Sequence, residues 1–310
     1  MQYDMSRTTL FEVSWEVCNK VGGIYAVVSS KALEAAALFG DNYYLLGPDL
    51  GNNAEFEETD EACWQELRAI TARRNLACRF GRWDIPGRPK VILVGYRDRF
   101  NQGQLLFSLW NRYGIDSISG GWDYVEPVMF STACGEVIEA ACQTLAVPAS
   151  GPVLAHFHEW MCGGGLLYLK ERAPKLGTVF TTHATMLGRS MAGSGFDIYK
   201  QMNPKMEAGA YNITAKCSME TASAREADCF TTVSRITADE ATVFLGRSPD
   251  VVTPNGLDMR VIPDYSAERD VPAGARAKLL GAAGRLLRRE LAPDTRIFII
   301  SGRYEYHNKG

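Results

Sequence analysis

No apolar run in these 310 residues is long enough to span a bilayer, and the opening MQYDMSRTT carries no signal-peptide core. No membrane partner is expected, and the expected compartment is the cytoplasm. A charge excess is also missing. Lys and Arg number 33 against 36 Asp and Glu, a net charge of −3, which gives no reason to expect nucleic acid or an anionic membrane surface as a partner. The eight cysteines are spread singly, without a CxxC pair or a small-domain disulfide framework. They read as reduced thiols filling core positions. GxGxxG, the P-loop pattern, HExxH and DxD occur nowhere, so no dinucleotide, nucleoside-triphosphate or zinc-protease fingerprint is present.

What the chain does contain is ordinary globular material, 46% apolar and 22% charged, in a length that allows one large or two ordinary domains. Strand and helix patterns alternate. Thr8 to Val13 reads as a first strand, followed by a helix starting near Gly22 or Gly23, where Ile24, Val27, Val28, Ala32 and Ala35 recur at helical spacing. Asp41 to Pro48 reads as a strand and the acidic stretch Gly51 to Asp60 as a solvated loop. A helix over Glu61 to Asn75 follows. Ala77–Arg82 and Lys90–Gly95 read as strands around a turn. Helices are predicted over Arg99 to Tyr113 and Glu126 to Leu145. The loop between them, Gly114 to Asp123, carries Trp122, which suits a lid, a sugar-stacking surface or plain surface. After Arg189 the sequence is loop-like, then Met206 to Ala227 reads as one long helix. A strand (Cys229 to Val233), a helix (Thr237 to Leu245) and a strand (Val251 to Pro254) complete the pattern. Such alternation predicts an α/β fold with a mostly parallel, doubly wound sheet. PNGLD marks a boundary, giving a first domain over residues 1–256. Residues 257–310 would supply a linker, an amphipathic helix (Ala275 to Leu291) and a strand (Arg296 to Ile300), the opening of a second domain.

The stretch from Pro152 to Arg189 concentrates the chemistry. It reads as a strand ending in His156, Phe157, His158 and Glu159, a helix from Leu166 to Arg172, and a second strand ending in Thr182, His183 and Thr185. A helical crossover makes the two strands parallel, so their polar carboxyl ends lie together where open α/β sheets bind ligands. Three of the four histidines fall there. His156 and His158 share one strand face, with Glu159 on the opposite one. Three chemistries fit. A metal-dependent hydrolase would use His156, His158 and His183 as ligands. A Cys–His nucleophile would pair Cys162 with His158 or His183. A polyhydroxylated ligand would be hydrogen-bonded by the same groups, with Lys20, Arg189, Arg303 and Lys309, each placed on a loop, as cations for phosphate. Lys20, Gly22 and Gly23 sit at a helix N-terminus suited to an anionic or hydroxyl-rich ligand, although a generic glycine turn accounts for the same residues.

Taken together, FEVSWEVCNKVGGIYAVVSSKA, GRW, AHFHEW, VFTTHATMLGR, DCFTTVS, ITADEA, PNGLD and SGRYEYHNKG closely resemble the animal and fungal glycogen synthases, in the same order along nearly the whole chain. The resemblance implies the GT-B architecture, two Rossmann-like domains facing across a cleft. It also implies retaining transfer of glucose from UDP-glucose to the non-reducing end of an α-1,4-glucan, with no metal or other cofactor and with homo-oligomers possible for the full-length form. It assigns His183 to contact with the transferred glucose, and Lys20, Gly22 and Gly23 to the loop closing on the donor. Arg189 is placed near the donor, and Arg303 and Lys309 on the UDP diphosphate. His158, Glu159 and Asn255 line the sugar or donor pocket. The family's second domain carries a Glu-x7-Glu catalytic segment and an arginine cluster for glucose 6-phosphate, neither of which lies within residues 1–310. The family's animal members also carry a serine-bearing N-terminal extension that this sequence lacks. The 310-residue chain alone is therefore expected to be inactive. A non-catalytic glucan-binding or scaffolding half-protein is the alternative.

Overall fold

Strand β1 (Thr9–Val13) sends Phe11 and Val13 into the larger apolar cluster and turns Glu12 to the opposite face, where Lys31 of helix α1 (Gly23–Phe39) meets it. The computed structural model describes residues 5–53, 55–144, 151–197, 202–256, 259–261 and 270–299. In chain order β2 (Tyr43–Pro48), β3 (Phe56–Glu58), α2 (Gln65–Arg73), β4 (Cys78–Trp83), β5 (Lys90–Val94), α3 (Gln102–Tyr113) and α4 (Trp122–Thr144) follow. Next come β6 (Val153–His158), α5 (Gly163–Arg172), β7 (Gly177–Thr182), α6 (Met186–Gly193), α7 (Pro204–Ala210), α8 (Thr214–Glu226), β8 (Cys229–Thr232), α9 (Arg235–Phe244), β9 (Val251–Val252) and α10 (Asp270–Leu287).

The strands form one sheet in the order β3-β4-β5-β2-β1-β6-β7-β8-β9. All pairs are parallel except β3–β4 and β4–β5, so the fold is α/β with a mixed, mostly parallel sheet. Alternation within the strands builds two cores. Phe11, Leu46, Ile92, Phe157, Phe180 and Phe230 point to one face, covered by α4 and its neighbours, while Leu45, Leu93, Trp83 and Val28 pack on the other under α1. Two compact units result, Met1–Gly256 and Leu257–Gly310. Within the second, Arg276 of α10 donates to the carbonyls of Pro293 (2.9 Å) and Thr295 (2.5 Å).

Four local expectations are corrected. The acidic Gly51 to Asp60 stretch contains β3, because Phe56–Glu58 can pair antiparallel with β4 as the edge strand of the sheet while Glu57 and Glu58 stay exposed. Residues Met186–Gly193 are helical, capped by Thr185 accepting from Gly188 N–H, so Arg189 sits on a helix rather than a loop. The long helix over Met206 to Ala227 is two, α7 and α8, separated at Asn212, whose φ of +55° ends the first. Finally, residues 296–299 form no strand; Phe298 and Ile299 are exposed, and among the described residues no neighbouring strand pairs with them. Ile300 lies outside the described residues.

Candidate active site

β1 lies between β2 and β6 and is parallel to both, so the connections on its two sides run in opposite directions. That switch point opens a crevice beyond the carboxyl ends of β1 and β6, the usual ligand position in such sheets. Register places Glu12 beside His156, and His158 beside Thr181. The three imidazoles stand in a row, with ring centroids 4.2 Å apart for His156 and His158 and 5.2 Å for His158 and His183.

Hydrogen bonds run along and across this row. His158 Nε2 is 2.6 Å from Glu12 Oε1, and His158 Nδ1 is 3.0 Å from His183 Nε2. Tyr43 donates its hydroxyl to Glu12 Oε2 at 2.6 Å, and Lys31 Nζ stands 2.5 Å from Glu12 Oε1. His156 Nε2 reaches Thr181 Oγ1 at 2.7 Å, which in turn meets Thr231 Oγ1 at 2.6 Å. His183 Nδ1 is buried and has no hydrogen-bond partner among the described residues. Burial alone would raise the Glu12 carboxyl, but the Lys31 ammonium and the His158 hydrogen bond outweigh it and hold Glu12 well below the usual carboxylate range. Burial lowers His158 against the pull of Glu12, and burial, His158 and Lys31 together push His183 down to about 3. All three rings are neutral near pH 7.

A second set of carboxylates fixes the turn that carries His183. Glu159 has φ 65° and ψ 166°, a backbone region that costs a non-glycine residue about 1–3 kcal/mol. β6 ends at His158, so strand alternation no longer governs Glu159. Its carboxylate does not turn away as alternation predicts; it accepts from His183 N–H (3.0 Å) and Ala184 N–H (3.4 Å). Glu220 of α8 lies 2.5 Å from Thr182 Oγ1 through one oxygen and accepts from Met186 N–H (2.9 Å) on the other, and Glu240 of α9 accepts from Thr185 Oγ1 (3.0 Å). Burial raises Glu159 against the pull of Arg189 and the two N–H groups, and burial with the Glu159 charge beside it raises Glu220 to about 8, so Glu220 keeps its proton at neutral pH.

A carboxyl raised from 4.5 to about 8 on folding stabilises the fold fully below pH 4.5 and loses that contribution as pH rises through 8. Glu220→Gln retains an acceptor for Met186 N–H and presents a donor to Thr182 Oγ1, but cannot ionise. Between pH 5 and pH 9 the parent is expected to lose roughly 2–4 kcal/mol relative to this variant, read from denaturant midpoints. A constant difference across that range would mean that Glu220 is ionised throughout.

The structure unites only some of the residues singled out from the sequence. His156, His158, His183 and Glu159 form one cluster, and Arg189 joins it with a guanidinium nitrogen 3.8 Å from Glu159 Oε1. Lys20 and Gly22 are exposed on the loop after β1 and Gly23, also exposed, begins α1, with Lys20 Nζ 5.0 Å from the centre of the Tyr25 ring. At the N-terminus of α1, Glu16 Oε2 already accepts from Tyr25 N–H at 2.6 Å, and a Cβ on Gly22 would fall 2.5 Å from Glu16 Oε1. Asn255 is exposed beyond β9. Arg303 and Lys309 lie outside the described residues. Cys162 is fully buried and burial pushes its thiol up to about 12, which leaves no thiolate for a Cys–His nucleophile. Trp122 opens α4 and is half exposed. Glu12, His156 and His158 bring ligand atoms within 4.8 Å of one another, a spacing that suits a cation, but His183 is not in that group and Lys31 holds the same Glu12 oxygen.

Glu12, Lys31, Tyr43 and Glu220 were not singled out from the sequence. A carboxylate in the middle of TLFEV, where a strand flanked on both sides has no route to water, was the available signal for Glu12. The glycogen synthase family model matches residues 12–310. The chain belongs to the glycogen synthase family. The rat liver glycogen [starch] synthase is 36% identical over 97% of this chain and 44% of its own length, and yeast isoform 2 is 34% identical over 100% and 46%. The chain thus spans under half the length of these curated relatives and covers their N-terminal portion. Among solved structures, the Arabidopsis starch synthase IV catalytic domain bound to ADP and acarbose aligns with a TM-score of 0.44 and 14% identity, over 82% of this chain and 52% of that one.

Proposed function

We propose that this chain forms the acceptor-side part of a GT-B glycogen synthase, transferring glucose from UDP-glucose to the non-reducing end of an α-1,4-glucan with retention. Residues 1–256 make the acceptor-side domain, and residues 257–310 open the domain that holds the nucleotide sugar. The enzyme works in the cytoplasm on glycogen; full-length copies can associate. No helix among the described residues is long and apolar enough to cross a membrane, which fits that setting. The observation that carries the reading is His183, held beside the sheet's switch point by a turn that the carboxylate of the strained Glu159 pins, with a buried ring nitrogen that has no partner among the described residues. Such a group meets a hydroxyl of the transferred sugar. Arg189 and Lys20, with Arg303 and Lys309, stabilise the negative charge that builds on the departing phosphate. His158, Glu159 and Asn255 shape the pocket, and Gly22 and Gly23 let backbone close on the donor.

No metal takes part in this scheme. Supporting this, the Lys31 ammonium supplies the positive charge beside Glu12 that a metal would otherwise bring. The test is UDP-glucose-dependent incorporation of labelled glucose into glycogen, by the 310-residue chain and by a form extended through a second domain. Transfer is expected from the long form only, with elemental analysis finding no stoichiometric zinc, manganese or iron. Glucan binding without transfer by the long form would favour the scaffolding alternative. A tightly held metal, lost with activity on chelation, would favour the hydrolase.

A further inference from the structure

We infer that Glu12 is a positioning residue. Acting through His158, it fixes His183 in the tautomer whose Nδ1 lone pair accepts a hydrogen bond from a ligand hydroxyl. The inference starts from donors and acceptors. Glu12 receives Lys31 Nζ on one oxygen and the Tyr43 hydroxyl on the other, so it is an ionised, acceptor-only carboxylate. His158 Nε2, 2.6 Å from Glu12 Oε1, must therefore carry the proton of that contact. A neutral imidazole has one N–H, so His158 Nδ1 is an acceptor, and the 3.0 Å contact with His183 Nε2 requires the proton on His183. His183, neutral in turn, is left with a bare Nδ1, the buried atom without a partner among the described residues.

The competing arrangement is an imidazolium at His158 donating from both nitrogens, which would reverse His183. Two features oppose it. Lys31 already balances the Glu12 charge from 2.5 Å, and His158 is 2% exposed between two other imidazoles. Specificity follows from the tautomer. A ligand group facing His183 has to donate, so a hydroxyl is accepted and an ether or fluorine in its place is not.

This inference deepens the proposed function, since the ligand hydroxyl is that of the transferred sugar, but its test needs no turnover. The 310-residue chain is labelled with 15N-histidine, and ring tautomers are read at neutral pH from long-range 1H–15N correlations. Signals are assigned with His156→Phe, His183→Ala and His307→Gln. Expected are His158 and His183 each protonated at Nε2 alone. His183 protonated at Nδ1, or a doubly protonated His158, would overturn the relay. In Glu12→Leu, His183 is expected to become a mixture of tautomers although it does not touch Glu12, whereas Glu12→Gln, which still offers His158 an oxygen, restores the single form. An unchanged His183 in Glu12→Leu would limit Glu12 to a structural role. If that variant does not fold, His158→Phe poses the same question one link nearer, with the same two outcomes. Absence of transfer by the extended form, with the tautomers as expected, would instead count against the proposed function alone.

Discussion

His183→Ala, in a form completed with a second domain, is expected to lower turnover about a hundredfold or more, the usual loss of about 2–4 kcal/mol when one preorganised polar contact to a reacting group is removed. The fold is expected to hold. Among the described residues the ring makes one hydrogen bond, to His158, and the turn's backbone is pinned independently by Glu159 and Glu220. Loss of that bond costs stability by about 1 kcal/mol. Kinetics separate the alternatives. If His183 grips the sugar as charge develops, kcat and kcat/KM fall together, whereas a role in ground-state binding alone raises KM and spares kcat. Steady-state rates within a few-fold of the parent would remove His183 from the reaction.

The largest effect on stability is expected at Gly165. The first turn of α5 is Gly163, Gly164 and Gly165, and it lies directly against α4. A Cβ added at Gly165 would sit well inside the van der Waals radius of the Ser131 carbonyl oxygen and 2.9 Å from Phe157 Cε1. Neither obstacle is the end of a flexible side chain. One is helix backbone, and the other is a fully buried ring on the strand that ends in His158. Gly165 N–H also donates to Ser131 Oγ at 3.2 Å, a bond lost if the helices separate. Gly165→Ala is expected to cost about 3 kcal/mol or more. Gly209→Ala, where an added Cβ meets nothing within 4 Å, should be neutral or slightly stabilising. Denaturant unfolding of both variants beside the parent decides it; equal midpoints would mean that α4 and α5 yield freely.

Local pattern carried much of this protein into view. Two-residue periodicity put His156 and His158 on one face because β6 is regular up to His158, and the β-branched run Thr178 to Thr182 read as a strand for the same reason. Legibility failed where a residue's conformation is set by a distant partner. Glu12 looked like one polar residue in a strand because its partner His158 is 146 residues away. Glu159 was placed by alternation, yet its carboxylate is drawn back by the N–H groups of His183 and Ala184. β3 is legible only with β4 beside it, and the break between α7 and α8 rests on one left-handed asparagine. Arg303 and Lys309, important in the resemblance, lie outside the described residues.

The central position of β1 has a consequence for synthesis. Once made, β1 finds β2 soon, but its other edge waits for β6, with Thr9 pairing with Val153. At about 5–20 residues per second, that edge stays open on the ribosome for roughly ten seconds or more. During the wait the imidazole that covers Glu12 in the folded protein does not yet exist. Pairing of β6 closes that edge and brings His158 onto Glu12. Until that event the nascent chain presents an unpaired parallel strand edge, a site for chaperone capture or for pairing with another unfinished copy.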